Sequence, residues 1–284
     1  MKTNKARCVL GIILMSAIST MAQNKDAKGS YASVNGLKMY YEIQGAGKPL
    51  VLLHGGMVTI EYSFDKTRPA FNKTWKTIAI EQQAHGHTND IKDRPLTVEQ
   101  MAEDTYALLK QLKVDSADFF GWSMGGGIAL QIALKHPEMV RKVAVSGTAF
   151  YPAGQIPNQQ EMMASLTPEM FPAEWVQEYA RKNPDPKGFP TLLAKIKQFA
   201  ADWKGMTTEE IKSIKAPILI ILGDADIVRP EHAVEMFRLL PHAKLAVFPM
   251  TDHFVPVQRP EWFVAMVQEF LEAPMPEQKK TEAR

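Results

Sequence analysis

Short apolar runs and longer segments of helical periodicity alternate along most of the chain. Six runs are short and apolar over most of their length or, for the run at 115–120, at its end, which is typical of strands buried on both faces of a sheet. They comprise residues 49–53, 78–81, 115–120, 140–146, 216–222 and 244–248. Helical segments separate them, among them residues 128–134, residues 231–240 and a terminal helix that includes Pro260. This alternation predicts an α/β fold, with a mostly parallel central sheet and helices on both faces.

Residues 31–43 predict a β-hairpin ahead of that sheet. Two strand-like runs flank Asn35-Gly36, and these two residues supply the positive φ angles that a tight turn needs. The helix that follows Thr97 also has clear local signals. The Thr97 hydroxyl can cap the free amides, and Gln100, three positions on, completes a capping box.

Residues 151–205 interrupt the alternation of strands and helices. This segment holds seven of the nineteen prolines in the chain, with helical pieces at residues 173–181 and 191–202. It is rich in methionine and aromatic residues, namely Met162, Met163, Met170, Phe171 and Trp175. Such side chains suit a segment that covers an apolar pocket, and they equally suit one that anchors itself to the core. The sequence leaves both interpretations open.

The strongest chemical signal lies where the run at 115–120 ends. Gly121-Trp122-Ser123-Met124-Gly125 is a Gly-x-Ser-x-Gly motif between a predicted strand and a predicted helix. A nucleophilic serine needs a sharp turn that lifts its hydroxyl clear of the sheet, and glycines without a Cβ leave room for that turn. The helix that begins there directs its amides toward negative charge beside Ser123. The motif alone is weak evidence, but the strand and helix around it are those it requires.

In this context the sequence resembles the α/β-hydrolase superfamily over about residues 30–272. The resemblance implies a triad of Ser123 as nucleophile, Asp226 as acid and His253 as base. In that family the oxyanion is held by two amides, which correspond here to Gly56, after His-Gly, and to Met124. The chain order Ser, Asp, His is that of this superfamily.

Some positions in these motifs have competing candidates. Asp224 competes for the role of the acid, which the family carries at the last position of Gly-x-x-Asp. His253 follows Asp252, where the family usually has glycine. His232 and His242 lie beside or within predicted helix ends, and we expect them to be surface residues.

The loop after the run at 78–81 resembles the family's Asp-x-x-Gly-x-Gly-x-Ser loop with three departures. Glu81 replaces Asp, Ala84 replaces Gly and Thr88 replaces Ser, so the local conformation is expected to differ. His85 and His87 in this loop raise the alternative of a metal site. Two histidines without a thiolate or an evident third ligand are more often structural, so no metal is predicted.

The resemblance also implies a domain division and a substrate class. Residues 151–205 correspond to a short helical cap, which we call the cap segment, inserted into a core of residues 23–150 and 206–272. Four apolar residues flank the predicted site and suggest an apolar acyl pocket: Met57, Trp122, Phe150 and Phe254. No Arg or Lys occupies a motif position that would demand an anionic substrate.

A secreted serine hydrolase of a small or medium carboxylic ester, working without a cofactor, is therefore expected. Family members that open epoxides or displace halide have Asp at the position of the nucleophile, so Ser123 argues against both activities. A lactone, thioester, amide or ketone-adjacent carbon–carbon bond stays open as the scissile group. A non-catalytic small-molecule-binding protein on the same fold is the alternative from another class, and the intact motif set argues against it.

Residues 1–22 carry the signals of a secretory signal peptide. Lys2, Lys5 and Arg7 precede an apolar run, and small residues lead to a predicted cleavage after Ala22. We therefore expect a periplasmic or secreted protein. The run is shorter than the ~20 residues of a membrane span, which disfavours the alternative of an uncleaved anchor.

Composition and charge exclude further classes of protein. Of the 284 residues 45% are apolar and 23% charged, as in soluble globular proteins. Without the three basic residues of the leader, the net charge of +2 leaves no basic excess, so no nucleic-acid partner is expected. Cys8 is the only cysteine and would leave with the leader, which excludes a disulfide framework. Residues 273–284 are predicted to be a solvated tail.

Overall fold

A computed structural model describes residues 29–275 of the chain and shows one eight-stranded sheet. The strands are β1 (Ser30–Val34), β2 (Leu37–Gln44), β3 (Lys48–Leu53), β4 (Trp75–Ile80), β5 (Ala117–Trp122), β6 (Val140–Ser146), β7 (Ile218–Gly223) and β8 (Ala243–Phe248). Their order in the sheet is β1-β2-β4-β3-β5-β6-β7-β8, with β1 and β2 antiparallel and the other six parallel. The α/β fold predicted from the alternation is confirmed.

Helices cover both faces of this sheet. They are α1 (Ile60–Phe64), α2 (Arg68–Phe71), α3 (Val98–Gln111), α4 (Met124–Lys135), α5 (Gln159–Ser165), α6 (Ala173–Lys182), α7 (Phe189–Asp202), α8 (Thr208–Ser213), α9 (Pro230–Leu239), α10 (Val255–Gln258) and α11 (Pro260–Glu272). One core cluster joins the sheet to α3, α4, α8 and α9, and a second joins it to α1, α2, α10 and α11. Successive residues of β3 enter opposite clusters, as the period of a strand requires.

The parallel register brings the carboxyl ends of the strands to one edge of the sheet. Leu53, the last residue of β3, is paired with Gly121 of β5, and Ser146 at the end of β6 is paired with Ile221 of β7. The loops that follow these strands therefore meet above the same edge. In open α/β sheets this edge is where ligands bind.

Local signals placed most elements within a few residues of their observed bounds. The hairpin turn forms at Asn35-Gly36, with φ angles of 48° and 84°. Thr97 caps α3 by accepting a hydrogen bond from the Gln100 amide at 3.0 Å. The second half of the expected capping box does not form, because the Gln100 side chain donates to Asp104 instead.

The cap segment contributes helices α5, α6 and α7 between β6 and β7. It is attached to the loop after β4 at two buried or half-buried points. The Asn183 carboxamide donates to the carbonyl oxygens of Gly86 and Thr88 at 2.9 and 3.2 Å. The Lys195 ammonium donates to the Asp90 carboxylate and to two backbone carbonyls of the same loop.

Three sequence predictions fall partly or wholly outside the described residues. They are the signal peptide at 1–22 with its single cysteine, the start of the core at residue 23, and residues 276–284 of the predicted tail. Across residues 29–275, no helix combines the length and the apolar character needed to cross a membrane.

Candidate active site

Ser123 lies on a sharp turn between β5 and α4. Its φ of 54° and ψ of −117° are unusual for a residue with a side chain, and its amide donates to the Ser146 carbonyl at 2.8 Å. A Cβ on Gly125 would overlap the backbone of Leu53, and one on Gly121 would overlap the backbone of Gly125. The glycines of the motif therefore permit the close packing that holds this strained serine in place.

The structure brings Ser123, His253 and Asp226 together in one chain of hydrogen bonds. The distance from the Ser123 Oγ to the His253 Nε2 is 2.9 Å, and that from the His253 Nδ1 to the Asp226 Oδ1 is 2.8 Å. Asp226 is buried, whereas Ser123 and His253 are partly exposed. A hydroxyl, an imidazole and a carboxylate in this order form the geometry of a nucleophile with its base and the group that orients the base.

The contacts of Asp224 separate it from this chain. Its carboxylate accepts the amides of Met250 and Thr251, and these hydrogen bonds hold its pKa below the usual value. It therefore stabilises the turn after β8. Asp252, which replaces the usual glycine, accepts the Phe254 amide at 2.9 Å and so shapes the loop that carries the triad histidine candidate.

Gly56 and Met124 line the same cavity as Ser123, and their amides are free of backbone partners among the described residues. The next amide, that of Met57, is already used. It donates to the His85 Nε2 at 3.0 Å, and Met57 has a positive φ of 63°. Two unoccupied N–H groups beside a nucleophile can stabilise an oxyanion.

Two buried histidines connect the loop after β3 with the loop after β4. His54 accepts the Gln82 amide on Nε2, and His85 accepts the Met57 amide on Nε2. Because an amide can only donate, both Nε2 atoms are unprotonated and the protons lie on Nδ1, which face the carbonyls of Gly55 and Gln83. Burial lowers the pKa of His54 to about 4 and that of His85 to about 3, so both stay neutral near pH 7.

His87, the other histidine of the loop after β4, has a carboxylate as its partner. Its Nδ1 lies 2.9 Å from the Glu81 carboxylate, and this partner raises its pKa despite its partial burial. Glu81 also accepts the His87 amide, and Ala84 has the positive φ of 65° for which the family uses glycine. Within residues 29–275 no three side chains of His, Cys, Asp or Glu are grouped so as to hold a metal ion.

A cavity of about 310 Å³ opens above Ser123 and His253 and beneath the cap segment. Three of the four expected pocket residues, Met57, Trp122 and Phe254, line it. The Trp122 indole also donates to the His253 carbonyl at 2.9 Å, which fixes the histidine loop. Apart from His253, none of the described residues that line the cavity has an ionisable side chain, so this wall is apolar with a few neutral polar groups.

The structure corrects two expectations, those for Phe150 and His232. Phe150 does not line the cavity but is buried in the core, with its ring stacked on that of His232. His232 is 1% exposed, not a surface residue, and its Nε2 accepts the Phe150 amide at 3.1 Å. A contact between positions so far apart in the chain leaves no local sequence signal.

Comparisons with known proteins agree with this geometry. The family described as alpha/beta hydrolase fold matches residues 48–202. The chain is 25% identical over 270 residues to 2-hydroxymuconate semialdehyde hydrolase of a Pseudomonas species, covering 88% of this chain and 95% of that protein. It is also 25% identical over 250 residues to pimeloyl-acyl-carrier-protein methyl ester esterase of Neisseria meningitidis, covering 80% and 94%. The enol-lactonase structure from Burkholderia xenovorans LB400 superimposes with a TM-score of 0.69 at 23% identity, covering 86% and 100%.

Proposed function

This chain belongs to the α/β-hydrolase family and is a hydrolase, and on that premise we propose that it cleaves neutral carboxylic esters of small or medium size through Ser123. The observation that carries the proposal is the continuous hydrogen-bond chain from Ser123 through His253 to Asp226 at the floor of an apolar cavity. The reaction proceeds through an acyl-enzyme and needs no cofactor.

His253 removes the proton of the Ser123 hydroxyl as the Oγ attacks the ester carbonyl. Asp226 holds the imidazole with its proton on Nδ1 and stabilises the imidazolium that forms. The same proton then passes to the leaving alcohol. A water molecule activated by His253 attacks the acyl-enzyme in the second half of the reaction and releases the carboxylic acid.

The tetrahedral intermediates carry a negative charge on the former carbonyl oxygen. The free amides of Gly56 and Met124 are the groups that can donate to it. Loss of one such donor typically raises the barrier by about 3 kcal/mol. Because the Met57 amide is occupied by His85, the Gly56 amide is the donor that this loop contributes.

The composition of the cavity supports a neutral substrate. By its name the Pseudomonas relative acts on 2-hydroxymuconate semialdehyde, a compound with a carboxylate group, whereas the Neisseria relative acts on the methyl ester of pimeloyl-acyl-carrier protein. A carboxylate desolvated in this cavity would find no lysine or arginine side chain among the residues of its wall within 29–275. Burying an unpaired charge is costly, so a neutral ester fits this cavity better than a substrate that carries a carboxylate.

The test is hydrolysis of p-nitrophenyl acetate, butyrate and octanoate by the full-length chain and by Ser123→Ala. We expect release of p-nitrophenol by the unmodified chain and a loss of about 10⁴-fold or more in the variant. Ser213→Ala is the matched control, because Ser213 is exposed on α8 and bonds only to the Glu210 carbonyl. The preferred chain length would measure the usable depth of the cavity.

Two results would contradict the proposal. Equal activity in Ser123→Ala and the unmodified chain would mean that Ser123 is not the nucleophile. A folded protein that hydrolyses none of the three esters, yet binds them with the same affinity in both forms, would favour the non-catalytic binding protein. A mass increase on Ser123 after incubation with a fluorophosphonate would separate a narrow-specificity hydrolase from such a binder.

A further inference from the structure

The cap segment is attached to the core unevenly along its length. The Lys182 ammonium at the end of α6 lies 2.8 Å from the Glu61 carboxylate of α1. Asn183 and Lys195 bond to the loop after β4. Three side chains of α7 belong to the first core cluster, namely Phe189, Leu192 and Ile196. Polar and apolar contacts therefore fix α6 and α7 to the core.

Residues 157–171, which we call the lid, lack such attachments. The backbone hydrogen bonds of the lid join its residues to one another or to Ile156. Its two bonds to α7 run from the Gln160 carboxamide to the Ala200 carbonyl at 3.3 Å and from the Lys197 ammonium to the Leu166 carbonyl at 3.0 Å. Within the part of the chain that the structure describes, no hydrogen bond joins the lid to the core, and only one lid residue is buried.

Both ends of the lid adjoin fixed points. Before it, the Ile156 amide donates to the Ile227 carbonyl of the loop after β7 at 2.8 Å. Asn158, directly ahead of α5, has a left-handed backbone with φ of 67° and ψ of 9°. After the lid, the Trp175 ring of α6 meets the Tyr62 ring of α1 edge to face at 4.8 Å. A change of dihedral angles at the two ends would move the lid and leave these contacts in place.

The lid forms part of the cavity wall, through Gln159, Gln160, Met163, Leu166 and Phe171. A long acyl chain on the candidate nucleophile would contact these side chains only while the lid is closed. A ligand that binds one of two conformations better shifts the equilibrium toward it. Closure of the lid should therefore depend on the length of the acyl chain.

We propose that the lid opens by itself while α6 and α7 stay on the core, and that a long acyl chain on Ser123 holds it closed. The part played by the acyl chain rests on the proposed ester hydrolysis, whereas the opening does not. Opening breaks the two bonds to α7 and leaves those of Asn183 and Lys195 intact. The open lid admits the ester, and the closed lid surrounds its acyl chain.

The opening is tested by hydrogen–deuterium exchange of the full-length chain, read by mass spectrometry in α5 and in α7. We expect the amides of α5 to exchange at least about tenfold faster than those of α7, because a separate opening costs less than detaching the whole cap segment. Lys197→Met should speed exchange in α5 by a further factor of about threefold to tenfold and leave α7 unchanged. Lys204→Met, at an exposed position beyond α7, is the matched control.

The response to an acyl chain separates a lid from a helix that merely frays at the surface. Two fluorophosphonates that differ in chain length, one methyl and one octyl, are attached to Ser123. We expect the octyl group to slow exchange in α5 by at least about fivefold relative to the methyl group, with α7 unchanged. Ser123→Ala, which cannot be labelled, should keep the exchange of the free chain with either reagent.

Three results would overturn the inference. They are equal protection of α5 and α7 in the unmodified chain, unchanged exchange of α5 in Lys197→Met, and an octyl label that leaves α5 as it is with the methyl label. A Ser123 that reacts with neither reagent would contradict the proposed ester hydrolysis instead. The comparison of α5 with α7 would still decide whether the lid opens alone.

Discussion

His253 lines the candidate site and His85 holds a backbone amide of its loop, and the two histidines differ in nearly every contact. His253 is partly exposed at the cavity and bridges the hydroxyl of Ser123 and the carboxylate of Asp226. His85 is 1% exposed and bridges a backbone amide and a backbone carbonyl. The first set of partners suits a proton carrier, while the second suits a fixed, neutral hydrogen-bond acceptor. Partners and burial, not residue type, therefore decide what an imidazole can do.

The largest expected effect comes from removing the anion that distinguishes His253. Asp226→Asn should lower kcat for p-nitrophenyl butyrate by about 10⁴-fold, because an amide no longer stabilises the imidazolium or its tautomer. Asp224→Asn is the matched control, and it should keep kcat within about tenfold, since Asp224 bonds only to backbone amides. The reverse order of effects would assign the acid to Asp224.

The next effect concerns His85 as an acceptor. His85→Leu removes the partner of the Met57 amide and should lower kcat by about 10- to 100-fold, with a smaller change in KM, because the Gly56 amide loses its fixed position. His85→Gln should recover most of kcat, since its Oε1 can accept from Met57 as the imidazole Nε2 does. Equal losses in both variants, with intact folding by circular dichroism, would argue against this positioning role.

A third prediction concerns the pH dependence of stability. The native pKa of His85, lowered to about 3 by burial, lies below that of a histidine in the unfolded chain, about 6.5. The unfolded chain therefore binds a proton first as the pH falls, and stability is lost below about pH 6.5. Between pH 7 and 5 this one group should contribute a loss of about 2 kcal/mol.

Comparison with His85→Gln isolates this contribution, because other groups titrate in the same range. The pKa of Asp65, for example, is raised by burial to about 6, which stabilises the native state as the pH falls. Urea titrations of both proteins at pH 7 and pH 5 should show the smaller pH-dependent loss in the variant. Parallel behaviour would mean that His85 is protonated in the native protein at pH 5.

The smallest effect on activity is expected at His232, which resembles His85 in accepting an amide but lies away from the cavity. His232→Ala should destabilise the protein by about 1–3 kcal/mol, because the Phe150 amide is left without its acceptor. The kcat of this variant should stay within about threefold of that of the unmodified chain. His242→Ala, at a half-exposed position, should change neither quantity measurably.

The sequence predicted those features that depend on local patterns. The sheet, the hairpin at Asn35-Gly36 and the turn at Ser123 follow from runs of a few residues whose spacing carries the signal. The proximity of Asp226 and His253 to Ser123 was expected from the resemblance alone, because it depends on loops that the parallel register gathers at one edge.

Contacts between positions far apart in the chain could not be predicted from local patterns. The bond from Met57 to His85 spans 28 positions and that from Phe150 to His232 spans 82, and neither pair has a characteristic spacing. Each of these features follows from packing.

The attachment of the cap segment to the loop after β4 has a consequence for protein engineering. Asn183 and Lys195 hold backbone carbonyls of the same loop that carries His85, and His85 in turn holds the Met57 amide. A cap transplanted from another protein to alter substrate choice would remove these attachments and leave the carbonyls unpaired. A chimaera should therefore exchange residues 82–94 together with residues 151–205 and keep a histidine at position 85, because its partner Met57 lies outside both segments.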